Sequence, residues 1–268
     1  MLGRHRGVVL STASTLVFFG LIVFFVARAP GTPLIRQRFF DWAHLKDAFP
    51  SVASGFLLNI RIMVTAEAMI LVLALLLAIV RSIPGPVFFP FRLVTIAYVD
   101  LFRGIPLILV LFLIGFGVPA LSLPGISGYD VVTYGIVSLV LVYSAYVAEV
   151  YRAGIDSVHP SQEAAARSLG LTRGQTLRKV ILPQAVRRVI PPLLNDFIGL
   201  QKDTALVGTL GAIEAFQQAS IDSAATFHYT PYLAAAVLFV AITIPLARFT
   251  DWLIARDRRR RQAQGMHA

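Results

Sequence analysis

The chain has 268 residues, 57% of them apolar and only 14% charged, against about 25% charged in an ordinary soluble domain. A water-soluble fold of this composition would expose large apolar patches, the low charge excludes a disordered chain, and no solenoid period repeats. A polytopic membrane protein remains. Its net charge of +10 then marks cytoplasmic loops rather than nucleic-acid binding, and the lack of cysteine excludes disulfides, thiolate metal sites and thiol nucleophiles.

A spanning helix needs about 20 mostly apolar residues. The first candidate covers residues 8–27, after Arg4 and Arg6. It is either a retained anchor, which its length favours, or a signal peptide cleaved near Ala27-Arg28-Ala29. Residues 28–54, with Pro30, Pro33, Trp42 and Pro50, form an external loop with an interfacial helix around 39–49. The second span covers 56–80 and ends at Arg81, before the turn Ser82-Ile83-Pro84-Gly85-Pro86. The third covers 89–118 and is interrupted at Gly104-Ile105-Pro106, where proline removes a helical donor and glycine weakens the turn. The fourth covers 131–150, followed by a polar stretch over 151–187. The fifth covers 189–213 and the sixth 232–254, before Arg256 and the run Arg258-Arg259-Arg260-Arg261.

The loops 119–130 and 214–231 hold no Lys or Arg, whereas the polar stretch and both termini are rich in them. The positive-inside rule therefore puts both termini and the polar stretch in the cytoplasm, with the terminal arginines against anionic lipid.

Charge inside a span costs at least a few kcal/mol and invites a functional question. Arg103 stands beside the Gly104–Pro106 break, and Asp100 three residues earlier shares its helix face. The two are either an ion pair that holds the kink or part of a pathway. The fifth span carries Asn195, Asp196, Gln201, Lys202, Asp203 and Thr204. Asn195 with Lys202, and Asp196 with Asp203, are seven apart and form neighbouring stripes. Lys202 lies roughly 21 Å beyond Arg188 along a helix, so this helix lines a wet cavity, meets a partner subunit or holds a structural network. Glu149 and Arg152 form an interfacial i,i+3 pair, Arg61 snorkels outward, and Glu67 has no local partner.

The polar stretch reads SVHPSQEAAARSLGLTRGQTLRKVILPQAVRR from Ser157 to Arg188. A helix starts at Pro160 or Ser161, and Gly170 sits where a left-handed cap belongs. Thr172 and Gln175 form a capping box for a second helix, which Pro183 ends or kinks. The pattern is that of a docking element.

The chain resembles the membrane-spanning permease subunit of bacterial ABC importers for polar amino acids, the type I group handling histidine, glutamine, glutamate or arginine. The resemblance runs from about Gly55 to the C-terminus. It rests on Tyr98-Val99-Asp100-Leu101-Phe102-Arg103-Gly104-Ile105-Pro106, on Ala145-Tyr146-Val147-Ala148-Glu149-Val150-Tyr151-Arg152, and on the docking stretch. That stretch continues through Pro191-Pro192-Leu193-Leu194-Asn195-Asp196 and Leu200-Gln201-Lys202-Asp203-Thr204. The family's coupling motif is Glu-Ala-Ala, three residues, Gly, nine residues, Ile, one residue, Leu-Pro. Ala165, Ala166, Gly170, Leu182 and Pro183 fit it, and Val180 replaces Ile. Ala164 stands at the Glu position, with Glu163 one residue earlier, which turns the carboxylate about 100° around the helix.

The resemblance implies an all-α integral membrane protein with about six transmembrane helices, a five-helix permease core plus one N-terminal helix. Residues 1–54 would be the anchor and external loop, and 55–268 the permease domain, with the coupling loop at about 157–187. It further implies a second permease subunit, identical or homologous, two ABC ATPase subunits and an extracytoplasmic substrate-binding protein, in a bacterial cytoplasmic membrane. The chain lacks a Gly-x-x-x-x-Gly-Lys-Ser/Thr phosphate loop, so it is not the ATPase and needs no cofactor of its own. Asp100, Arg103, Asn195, Asp196, Lys202, Asp203 and Thr204 are the substrate-pathway candidates. Arg103 and Lys202 give a mild preference for glutamate. The rival readings are an ion-coupled secondary transporter, against which the missing internal repeat counts, and a membrane scaffold.

Overall fold

The computed structural model describes residues 2–83 and 85–265; the side chains of residues 2–9, 257–258 and 260–265 lie outside that description. Pro84, Arg4, Arg6 and most of the terminal arginine run are therefore not placed. Among the described residues every regular element is helical. In chain order these are α1 (Leu2–Arg28), α2 (Thr32–Phe39), α3 (Trp42–Ser82), α4 (Phe89–Gly104), α5 (Leu107–Phe112) and α6 (Val118–Ala120). They continue with α7 (Val131–Asp156), α8 (Pro160–Ser168), α9 (Arg173–Thr176), α10 (Leu182–Asp203), α11 (Ala215–Thr226) and α12 (Thr230–Gly265). Five-residue π turns join α5 to α6 and α9 to α10, and a 3₁₀ segment, Thr204–Leu210, follows α10.

Among the described residues four helices are long and apolar enough to cross a bilayer, in α1, α3, α7 and α12; the pair Phe89–Gly104 and Leu107–Ala120 makes a fifth if counted as one bent span. The chain is an all-α membrane protein. The expected fifth span at 189–213 does not meet this standard, because α10 carries too many polar residues and gives way at Thr204 to 3₁₀ geometry. Residues 214–231, expected as a loop, contain α11. The interfacial helix and second span are one 41-residue helix, α3, about 61 Å long at 1.5 Å per residue. Its first turns therefore stand clear of the hydrocarbon. Asp41 starts it by accepting from the Ala43 and His44 N–H groups, and Pro50 is tolerated inside it.

The core centres on α3 against α7. Ile62, Ala66, Ile70, Ala74 and Ala78 form an i,i+4 stripe on α3 that is fully or almost fully buried. Small residues every fourth position let helix backbones approach in lipid, where packing rather than the hydrophobic effect drives association. Leu139, Val142, Ala145 and Ala148 on α7 are also buried, and α4, α5 and α10 pack on the same helix. A second cluster joins Ala48, Val52 and Phe56 of α3 to Ala215 and Ala219 of α11 and Ala234 and Ala235 of α12. By contrast, among the described residues α1 packs mainly on α2 and exposes its Leu, Phe and Val side chains from Leu10 onward, as a helix surrounded by lipid would.

The interruption in the third span is sharper than a kink. The axes of α4 and the helix after it differ by 107°. Ile105 and Pro106 take extended ψ angles (130° and 135°): Ile105 because a residue before proline is pushed out of the helical region, and Pro106 as the N-cap of α5. At the start of α7, Asp130 accepts from the Thr133 hydroxyl and backbone N–H, which hold its carboxyl below the usual range.

Candidate functional site

The bend after Gly104 opens a cleft of about 450 Å³ lined by Arg103, Gly104, Ile105, Pro106, Leu107, Val142, Tyr143, Tyr146, Asp196 and Asp203. Three of the sequence-derived pathway residues thus meet there, from α4 and α10, against an aromatic wall from α7. Arg103 is exposed on the isolated chain, and its guanidinium lies over the Tyr146 ring, 5.8 Å from the centroid, a cation–π arrangement. The expected Asp100–Arg103 ion pair does not form: among the described residues the ion pairs within 4 Å include neither, and Asp100 is exposed outside the cleft lining. The extended backbone at Ile105 and Pro106, not a side-chain pair, sets the bend.

The two stripes on α10 divide as their spacing requires. Asp196 and Asp203 face the cleft, while Asn195 and Lys202 are exposed on the chain's outer surface. The Tyr143 hydroxyl donates to Asp203 Oδ2 over 2.8 Å. Asp196 Oδ2 is buried without a hydrogen-bond partner. A buried acceptor of that kind is costly unless something donates to it.

Thr204 does not reach the cleft. It is fully buried, accepts from Asn59 Nδ2 at 3.1 Å and donates to the Gln201 carbonyl at 2.8 Å. It belongs to a structural network instead. Asn59 also donates to Glu214 Oε2 (3.0 Å) and accepts from the Ala215 N–H (3.0 Å), while Glu214 caps α11 by accepting from Phe216 and Gln217 N–H groups. Glu149 pairs with Arg152 at 2.7 Å as expected, and also with Arg81 of α3, which sequence spacing does not reveal. Tyr143 and Tyr146 were likewise missed as cleft residues; their three-residue spacing on α7 was the available signal.

The second part of the site is the loop between α7 and α10. As expected, α8 starts at Pro160, and His159 caps it, its imidazole accepting from the Ser161 N–H. Gly170 has φ +83°. The Leu171 N–H donates to the Ala166 carbonyl at 3.2 Å and the Gly170 N–H to the Arg167 carbonyl at 3.0 Å, the two bonds of a Schellman cap. Thr172 and Gln175 form the capping box in both directions. Pro183 does not end the second helix: the π turn Leu177–Ile181 precedes it, and α10 continues through it. Glu163, Ala164, Ala165, Gly170, Leu182 and Pro183 are exposed, Ala166 is buried against the chain, and Leu169 is 83% exposed.

Residues 70–259 match the model of the family described as "binding-protein-dependent transport system inner membrane component". The chain is 36% identical over 205 residues to the probable amino-acid permease protein YxeN of Bacillus subtilis, covering 76% of this chain and 90% of that protein. It is 36% identical over 213 residues to the probable glutamine ABC transporter permease protein GlnM of the same organism, covering 79% and 95%. Among solved structures, "an amino acid ABC transporter with histidines" superposes with a TM-score of 0.74 at 31% identity, over 81% of this chain and 98% of that one. The chain belongs to the binding-protein-dependent transport system inner membrane component family, as a membrane permease subunit that leaves ATP hydrolysis to a separate ATPase.

Proposed function

We propose that the chain is the permease subunit of an ATP-driven importer of a polar amino acid, with both termini and the 157–187 loop cytoplasmic. One observation carries this reading: α10 begins at the Leu182-Pro183 end of the docking loop and ends at the cleft carboxylate Asp203. A single helix of about 33 Å therefore links the surface offered to an ATPase with the polar cleft. Tilting of α8 and α9 by two ATPase subunits would rock α10 and switch the cleft from outside to inside. The exposed Asn195 and Lys202 suit a seam with a second permease, identical or homologous, and an extracytoplasmic binding protein would deliver the substrate.

The cleft chemistry refines the expectation for glutamate. Lys202 does not line it, and Arg103 is opposed there by Asp196 and Asp203. One cation and two carboxylates suit the α-carboxylate and α-ammonium that every amino acid carries, and favour a neutral or basic side chain over an acidic one. The test is uptake of labelled amino acids into vesicles holding the complete transporter. ATP-dependent uptake of glutamine, histidine or arginine, competed weakly by glutamate, is expected; uptake without ATP would overturn the ATP-driven reading.

A further inference from the structure

A cluster that transport does not use joins the start of α3 to the turn between α11 and α12. Asp41, His44 and His228 each offer one ligand atom, all within 4.8 Å of one another. The three are assembled by contacts across the chain. The Tyr229 N–H donates to the Arg38 carbonyl (2.8 Å), Arg38 Nη1 to the Phe227 carbonyl (3.1 Å), and the Phe39 and Tyr229 rings stack at 4.9 Å. Phe227 closes α11 at φ +56°, a conformation that is strained for a bulky residue and that marks functional turns. It aims the next residue, His228, at α3.

The three ligand atoms face one another, and none is engaged outside the cluster. Asp41 spends Oδ1 on the Ala43 and His44 N–H groups, which leaves Oδ2. His228 Nδ1 lies 3.0 Å from the Thr226 carbonyl. A carbonyl only accepts, so Nδ1 carries the proton and Nε2 keeps its lone pair; a second bond of this type orients most metal-ligating histidines. His44 Nδ1 is buried and has no neighbour to bond outside the cluster, where Asp41 Oδ2 faces it. Asp41 Oδ2 is 3.2 Å from His44 Nδ1 and 4.0 Å from His228 Nε2. Two ligands about 2.1 Å from a tetrahedral ion lie about 3.4 Å apart, so the Asp41–His44 spacing already fits, the Asp41–His228 spacing must close slightly, and the spacing of the two imidazole nitrogens lies within 4.8 Å. The imidazoles stack at 3.6 Å; coordination turns at least one about its Cβ–Cγ bond, a torsion with broad preferences. Asp41 also lines an open cleft of about 580 Å³ beside α2, through which an ion can enter.

We propose that Asp41, His44 and His228 form a three-ligand site for a divalent transition-metal cation of the Zn²⁺ class, which staples the start of α3 to the α11–α12 turn. Two imidazoles and a carboxylate are the donor set such ions favour, with water completing the shell.

The test uses the full-length chain in detergent, free of any histidine tag and stripped with EDTA. Zn²⁺ is titrated against a chromophoric chelator, and thermal unfolding is followed alongside. Wild type is expected to take one Zn²⁺ and to gain Tm. His44→Gln and His228→Gln should each weaken binding by roughly tenfold or more and lose the Zn²⁺-dependent gain. His159→Gln, on the docking loop, should change neither. Should the histidine variants unfold in EDTA, Asp41→Asn, which keeps a capping oxygen, must show the same weakening. No Zn²⁺ bound by wild type, or equal binding in wild type and the cluster variants, overturns the proposal.

Discussion

Tyr143 donates to Asp203 across 2.8 Å, tying the middle of α7 to the last residue of α10. Tyr143→Phe removes this bond, worth about 1.5–3 kcal/mol when the acceptor is charged, and leaves Asp203 freer in the cleft. Uptake should fall several-fold while membrane abundance stays near wild type. Gly199→Ala offers an independent handle, because a Cβ there would lie 3.1 Å from the Tyr143 hydroxyl. It should reproduce part of the Tyr143→Phe loss; wild-type transport in both variants would make the bond incidental.

Lys202 is expected at the permease seam or in water, since lipid exposure would cost several kcal/mol. The chain has no cysteine, so Lys202→Cys introduces a single thiol. A membrane-impermeant thiol reagent should modify it in vesicles unless the permease partner covers it, in which case a short bifunctional reagent should join it to the neighbouring permease. Neither outcome would place it in lipid. Lys202→Met should lower uptake without lowering abundance.

Glu214 is fully buried and caps α11. Glu214→Ala removes a cap, about 0.5–2 kcal/mol, and leaves one of the two Asn59 amide hydrogens without an acceptor, about 1–3 kcal/mol more. Thermal unfolding in detergent should show a drop for Glu214→Ala and a smaller one for Glu214→Gln. Gly55→Ala should be comparably damaging, because its Cβ would lie 2.8 Å from the Glu214 carbonyl carbon, and backbone yields less readily than a side chain. An unchanged unfolding temperature in all three would remove this network from the fold's supports.

What the sequence carried most clearly was local. The positive φ of Gly170, the Thr172–Gln175 box and the break at Gly104–Pro106 each follow from residues within a few positions of one another. The seven-residue spacing made the two stripes on α10 visible, but not that only Asp196 and Asp203 would line the cleft. Contacts between distant segments were not. Asn59 and Glu214 are 155 positions apart, and nothing near either names the other. Arg81 looked like a topology signal because its partner Glu149 lies on another helix. Thr204 looked like a pathway residue because its position on a polar helix says nothing of the buried amide of Asn59 behind it. The polar residues of α10 also find different surroundings: Asp196 and Asp203 line the cleft, Gln201 and Thr204 are buried, and Asn195 and Lys202 stay exposed on the chain.

We propose that the loop around Gly170 couples a separate ATPase to the cleft through α10. At Gly170 a new Cβ meets nothing within 4 Å, yet φ is +83°, so Gly170→Val acts through backbone strain of about 1–3 kcal/mol rather than through a clash. The decisive measurement follows uptake and binding-protein-stimulated ATP hydrolysis together in vesicles reconstituted with this variant. Normal insertion with uptake reduced by about tenfold or more, through lost ATPase binding or through hydrolysis no longer converted to transport, is the predicted result; wild-type values for both uptake and stimulated hydrolysis would contradict it.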